Sequence, residues 1–241
     1  MILVVDIGNT QVKWAVTSLD GWLVQAQCPI TAIEKLSLYW SDLPVPSAIV
    51  VSNVASSTAT SAVNLAASRW NVNPHWIEAK REQCGVTNSY ASPEQLGADR
   101  WAAVIGAKSL NLGNIVAVCA GTATTVHGLT QAGIFLGGLI IPGYDLLHQS
   151  LGANAFRLSD AEGQLSTFPI STADAITTGA IKTTCATIES FCEDMEKAGH
   201  HNVQIVLAGG AAKKIRREFT RSILHKEDLI LLGLLEIAKS L

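Results

Sequence analysis

One pattern occurs twice in this chain, and it limits the folds available. Residues 2–6 form a β-branched-rich run of the kind found in buried strands. Ile7-Gly8-Asn9-Thr10 then supplies turn residues, and extended character resumes over 11–16. Residues 115–119 repeat the run, Ala120-Gly121-Thr122-Ala123 repeats the small-residue turn, and 124–130 and 133–141 continue as strands. After each opening, helices and strands alternate. The first half predicts a strand at 21–30, a helix at 33–40, a strand at 48–54, a helix at 58–70 and a strand at 75–79. The second half predicts a helix from Tyr144, a long helix over 173–198, a strand at 203–208, a helix over 211–219, and a final strand and helix within 228–241. A chain of 241 residues can hold one large domain or two small ones. The repeat selects two α/β units, 1–112 and 113–241.

The join falls in or just after 90–112, which reads as a helix. Ser92 stands where an N-cap is expected, Pro93 takes the tolerated first position, and Gln95 completes the capping-box spacing. Leu96, Ala103, Val104, Ala107 and Leu110 give an apolar stripe, and Gly113 can close the helix in a left-handed conformation. Gly97 inside such a helix costs about 1 kcal/mol against alanine, which asks for a packing or ligand reason.

Composition excludes several classes. Hydrophobic residues make up 48% and charged residues 15%, ample for two cores and unlike a disordered chain. Seventeen basic against twenty acidic residues give a net charge of −3, so no overall basicity points to nucleic acid. No apolar run reaches the length of a membrane span, and no basic segment precedes the apolar start as in a signal peptide. Five scattered cysteines without a C-x-x-C pair read as reduced thiols, so a cytoplasmic location is expected.

A glycine-rich turn between two strands exposes backbone N–H groups that can hold phosphate oxygens. Either turn alone would be an ordinary hairpin; the repetition gives them a shared purpose. Thr10, Thr122, Thr124 and Thr125 add hydroxyl donors, and Asp6, ending the first run, can hold Mg²⁺ through water. Two such turns facing one another would clamp a nucleotide in a cleft between the halves.

This organisation resembles the ASKHA superfamily of actin, hexokinase and the heat-shock chaperones. Within it the chain is similar to the type III pantothenate kinases. Val5-Asp6-Ile7-Gly8-Asn9-Thr10 with Lys13 resembles the family's first phosphate motif. Tyr90 to Arg100, above all Gly97-Ala98-Asp99-Arg100, resembles its pantothenate motif, and Gly121-Thr122-Ala123-Thr124-Thr125 its second phosphate motif. Gly137-Gly138 through Pro142-Gly143, Ser171-Thr172-Ala173-Asp174 with Gly179, and Ala208-Gly209-Gly210-Ala211 follow in the family's order.

The resemblance implies two duplicated ASKHA domains and phosphoryl transfer from ATP to the terminal hydroxyl of pantothenate. Asp99 would be the base. Tyr90, Gly97, Ala98, Arg100 and Thr172 would bind the acceptor, Thr172 being lent by the second subunit of a homodimer. Asp6 would orient Mg²⁺, while Gly8, Asn9, Thr10, Lys13, Gly121, Thr122 and Thr124 would surround the phosphates. Gly209 and Gly210 would admit adenosine.

Two positions depart from the family pattern. Cys119 and His127 stand where carboxylates are usual, and a thiol is a soft ligand and a poor partner for Mg²⁺ or K⁺. The family's monovalent-cation requirement is therefore expected to be weakened. The competing readings are a catalytically weakened family member acting as a regulatory, transcription-accessory protein, for which the basic run Lys213, Lys214, Arg216, Arg217, Arg221 could touch nucleic acid, and another ASKHA kinase for a sugar or acetate. The Tyr90 to Arg100 segment argues against the latter.

Overall fold

The computed structural model describes residues 1–18, 21–154 and 162–241. The chain forms two compact units: Met1–Asn111 together with Asp228–Leu241, and Leu112–Glu227.

The first unit opens with strands β1 (Ile2–Ile7), β2 (Gln11–Ser18) and β3 (Gly21–Pro29), then α1 (Leu36–Tyr39), β4 (Ala48–Asn53), α2 (Ser57–Ala67) and β5 (Pro74–Trp76). A short hairpin, β6 (Glu82–Gln83) and β7 (Val86–Asn88), precedes α3 (Ala98–Ser109). The sheet order is β3-β2-β1-β4-β5, with β1 antiparallel to β2 and parallel to β4. Alternate residues of a strand point to opposite faces. Leu3, Val5, Ile7, Val12, Trp14, Ile49 and Val51 accordingly share a core with Leu36 of α1, Trp40 just past its end, and Val63 and Ala66 of α2. The opposite face, which carries Asp6, is covered by α3 and the C-terminal helix of the chain.

The second unit runs β8 (Ile115–Ala120), β9 (Ala123–Leu129), β10 (Ile134–Pro142), α4 (Tyr144–Asn154), α5 (Thr172–Lys197), β11 (Gln204–Ala208), α6 (Ala212–Ile215) and β12 (Ile223–His225). Its strands lie in the order β12-β11-β8-β9-β10. Read from the other edge, this is the connectivity of the first unit: a three-stranded antiparallel meander followed by two parallel strands. The chain is thus a duplicated α/β fold of ASKHA type.

Four sequence expectations need correction. The final helix, α7 (Leu229–Lys239), belongs to the first unit and not to a half spanning 113–241. It crosses α3 through two glycines. A Cβ on Gly106 would collide with the Leu229 carbonyl, and one on Gly233 with the Ala102 carbonyl. The helix expected over 90–112 is only Ala98–Ser109, preceded by a 3-10 turn at Pro93–Gln95. Leu96 and Gly97 are extended between them, Ser92 makes no side-chain cap, and Asn111 rather than Gly113 is the first left-handed residue past the end. Over 33–40 the chain is a 3-10 helix as far as Lys35 and α-helical only over Leu36–Tyr39, a single turn. The helix expected over 211–219 spans only Ala212–Ile215.

Candidate active site

The first unit gathers its polar groups at the C-terminal end of β1. Register sets Asp6 beside Lys13 on β2 and Ser52 on β4, so three polar side chains form a row across one face of the sheet. Asp6 is buried, and its Oδ1 finds no hydrogen-bond partner among the described residues. Burial, and then the negative charge of Asp99, push its carboxyl up to about 7; Lys13 and the Ser52 hydroxyl pull the other way.

Asp99 is the second residue of α3, whose N-cap is Gly97; Trp101 N–H donates to the Gly97 carbonyl (2.9 Å). The Arg100 N–H donates to Asp99 Oδ1 (2.8 Å), holding the carboxylate over the first turn, where the helix dipole favours negative charge. Burial outweighs these contacts and raises the Asp99 pKa. Gly97 leaves the room this requires, because a Cβ there would stand 2.8 Å from Asp99 Oδ1. The Arg100 guanidinium donates from Nη2 to Tyr90 Oη (2.9 Å) and lies 5.8 Å from the centre of the Tyr90 ring. The structure therefore brings Asp6, Lys13, Tyr90, Gly97, Ala98, Asp99 and Arg100 into one unit. Gly8, Asn9, Thr10 and Gln11 form the adjoining turn, closed by Gly8 N–H donating to the Gln11 carbonyl (3.0 Å), with Asn9 and Thr10 exposed.

In the second unit the corresponding turn is one residue shorter. Ala120 pairs with Thr124, and Gly121 N–H donates to the Ala123 carbonyl (3.1 Å). Gly121 and Thr122 are exposed, while Thr124 is fully buried with no partner for its hydroxyl among the described residues. Topology makes Cys119 on β8 the counterpart of Asp6 on β1. The neighbours of Cys119 in register are Thr125 and Ala208, so this row carries no formal charge. His127 is buried and hydrogen-bonds through Nε2 to Thr125 Oγ1 (2.9 Å). Among the described residues no group of three or more His, Cys, Asp or Glu could hold a metal ion. Asp6, with an unpartnered carboxylate oxygen and the Asp99 charge close by, is the residue that could hold a divalent cation. The Cys119 row offers a monovalent cation no anionic oxygen.

Gly209 has a left-handed φ of 98°, and a Cβ there would strike the backbone of Ala120. Its glycine is required by its own unit, whereas Gly210 faces open space. Thr172 is exposed at the start of α5, where Ser171 Oγ accepts from Asp174 N–H (3.1 Å). The basic run is largely paired with carboxylates: Lys213 with Glu227 (3.2 Å), Lys214 with Glu162 (2.9 Å) and Asp145 (3.3 Å), and Arg221 with Glu196 (2.7 Å). No helix among the described residues is long and apolar enough to cross a membrane.

Sequence reasoning missed Ser52, Arg81 and Asn88. Ser52 was hidden within an apolar strand. The other two sit at the base of the β6–β7 hairpin, for which Cys84-Gly85, both at positive φ, was the available signal.

Residues 2–194 match the family model of type III pantothenate kinase. The type III pantothenate kinase of Nitrosospira multiformis is 38% identical over 239 residues, covering 99% of this chain and 91% of its own. A solved Campylobacter jejuni protein described as a putative Baf family transcriptional activator superposes with a TM-score of 0.65 at 21% identity, over 99% of this chain and 98% of that one. A putative N-acetylmannosamine kinase from Listeria monocytogenes shares the fold, with a TM-score of 0.53 at 11% identity over 99% of both chains. Full-length similarity at this identity, joined to the ordered motifs, is decisive: the chain belongs to the type III pantothenate kinase family.

Proposed function

We propose that this enzyme moves the γ-phosphoryl group of ATP onto the terminal hydroxyl of pantothenate, the first step of coenzyme A synthesis, with Asp99 as the base. The observation that carries the assignment is the placement of Asp99: half-buried in the first turn of α3, beside the Arg100–Tyr90 pair and close enough to Asp6 to raise its proton affinity. A carboxylate is a weak base at its ordinary pKa, and burial moves this one in the useful direction. The loose transition state of phosphoryl transfer asks for little early proton removal, so orientation of the hydroxyl is the larger contribution.

Tyr90, Gly97, Ala98 and Arg100 line the acceptor site, and Arg100 takes the substrate carboxylate. Asp6 holds Mg²⁺ through water; the ion, when bound, neutralises phosphate charge. A buried carboxylate with an unpartnered oxygen beside a second carboxylate is suited to a cation. Gly8, Asn9, Thr10, Lys13, Gly121, Thr122 and Thr124 take the phosphates, and Gly209 and Gly210 the adenosine. Thr124, being buried, is the least accessible of these.

The working form is a cytoplasmic homodimer in which Thr172 serves the partner's acceptor site. Its support is the apolar surface just before Thr172, with Phe168 83% and Ile170 98% exposed. The regulatory reading is not favoured, since Lys213, Lys214 and Arg221 of the basic run are paired with carboxylates.

The test is a coupled ADP-release assay with pantothenate, run beside Asp99→Asn. Turnover that collapses in the variant by about a hundredfold or more is expected. No turnover of the wild type with any divalent metal would sink the proposal.

A further inference from the structure

The hairpin that ends just before Tyr90 has no role in the site as drawn so far, yet its base grips the Tyr90 backbone. Cys84 and Gly85, at φ 51° and 74°, make the tight turn; Glu82 pairs with Thr87 and Gln83 with Val86. Gln83 Oε1 accepts from Trp101 Nε1 (2.9 Å), which ties the hairpin to α3. One step below, Asn88 N–H donates to the Arg81 carbonyl (2.8 Å). The Arg81 side chain then turns along the segment leaving the hairpin and donates to three carbonyls: Asn88 (2.7 Å), Tyr90 (2.8 Å) and Ala91 (2.9 Å). Asn88, fully buried, accepts at Oδ1 from the Tyr90 N–H (3.0 Å). The Tyr90 peptide groups are thus held on both sides, N–H by Asn88 and carbonyl by Arg81. The phenol at the other end of the residue receives the Arg100 guanidinium.

We infer that Arg81, assisted by Asn88, is a positioning residue for the acceptor site, fixing the main chain that aims Tyr90 and, through it, Arg100. A guanidinium presents a planar fork of five donors, which is why one side chain can cap three carbonyls of an irregular segment. A lysine at 81 keeps the charge but has a single ammonium, which cannot reproduce that fork. No carboxylate is paired with Arg81 among the interactions of the described residues, so its cationic donors serve the backbone. The inference rests on Tyr90 contacting pantothenate as proposed above.

The experiment is steady-state kinetics on the full chain, varying pantothenate and ATP separately, for wild type, Arg81→Lys, Arg81→Gln, Tyr90→Ala and the double variant Arg81→Lys/Tyr90→Ala. Arg81→Lys is expected to melt close to wild type, to raise the KM for pantothenate about tenfold with the KM for ATP unchanged, and to add little when Tyr90 is already alanine. If Tyr90→Ala raises the pantothenate KM and neither Arg81 variant does, Arg81 positions nothing and the inference falls. If the effects of Arg81→Lys and Tyr90→Ala are fully additive, or both KM values rise together, Arg81 acts on the fold at large and the inference also falls. Failure of both Arg81 variants to fold counts the same way. If Tyr90→Ala leaves the pantothenate KM unchanged, the assignment of Tyr90 to the acceptor is wrong, and the inference goes with it.

Discussion

Gly97 keeps the Asp99 carboxylate in place: a Cβ at 97 would lie 2.8 Å from Asp99 Oδ1, so one of the two would have to shift. The backbone there, at φ −55° and ψ 143°, is open to alanine, so Gly97→Ala carries no backbone strain. The loss as an N-cap is about 1 kcal/mol at most. Its main effect falls on the carboxylate, which must rotate away from the first turn of α3. Gly97→Ala is expected to lower kcat about tenfold or more while moving the melting temperature by only a few degrees. Retained kcat would separate Asp99 from the chemistry.

Asp6 makes stability depend on pH in a direction unusual for a carboxylate. Its pKa is 3.8 in an ordinary setting and about 7 in the folded chain. Between those values the native state holds a proton that the unfolded chain has released. The stabilisation is complete below the lower value and is lost as pH rises through the upper one. The slope of a single such proton is about 1.4 kcal/mol per pH unit. The difference in melting temperature between wild type and Asp6→Asn, without divalent metal, should therefore swing against the wild type from pH 5.5 to 8. Mg²⁺ added at pH 8 should recover stability in the wild type alone. Parallel pH profiles for the two proteins would refute the burial argument for Asp6.

Much of this was legible because the chain repeats itself. β-branched runs and two glycine turns were enough to place the strands that open each half, and motif order carried the family. Local signals failed where tertiary contact decides. Ser92-Pro93-x-Gln95 has the spacing of a capped helix start, yet the helix begins at Ala98, because Leu96 and Gly97 run extended before the first turn of α3. Gly97, read as a costly interior glycine, is an N-cap. The final helix looked like the end of the second half, since nothing local says that Gly233 packs on Ala102 and Gly106 on Leu229. Arg81 was unremarkable in sequence because its three partners are main-chain carbonyls, which have no residue identity to read.

The paired glycines give a stability prediction. Helices α3 and α7 meet backbone to backbone at Gly106 and Gly233, so a methyl group on either must drive the helices apart. Overpacking of this kind costs about 1–3 kcal/mol, and here the obstacle is main chain, which cannot rotate out of the way. Gly233→Ala should reach the upper end of that range by urea denaturation, and Gly106→Ala should match it. Since α7 covers the Asp6 face of the first sheet, removal of Asp228–Leu241 should abolish cooperative folding of the first unit. A truncated chain with wild-type near-ultraviolet dichroism would contradict this placement of the helix.

The row through Cys119 carries none of the charge found in the row through Asp6. Asp6 sits between Lys13 and Ser52, whereas its counterpart Cys119 sits between Thr125 and Ala208, and His127 hydrogen-bonds to Thr125. K⁺ and NH₄⁺ are held by oxygen acceptors rather than by thiols, and a carboxylate adds the attraction of a full negative charge. Neither residue at these two positions provides one. Kinase activity should therefore change less than about twofold when K⁺, NH₄⁺ and Na⁺ are exchanged at constant ionic strength. Cys119→Asp supplies a carboxylate at the partly buried end of β8, and should introduce a dependence on one of these ions, visible as a saturable rise in kcat/KM. Strong, selective activation of the wild type by K⁺ would show that other oxygens serve the cation and that the exchange of carboxylates at Cys119 and His127 left it untouched.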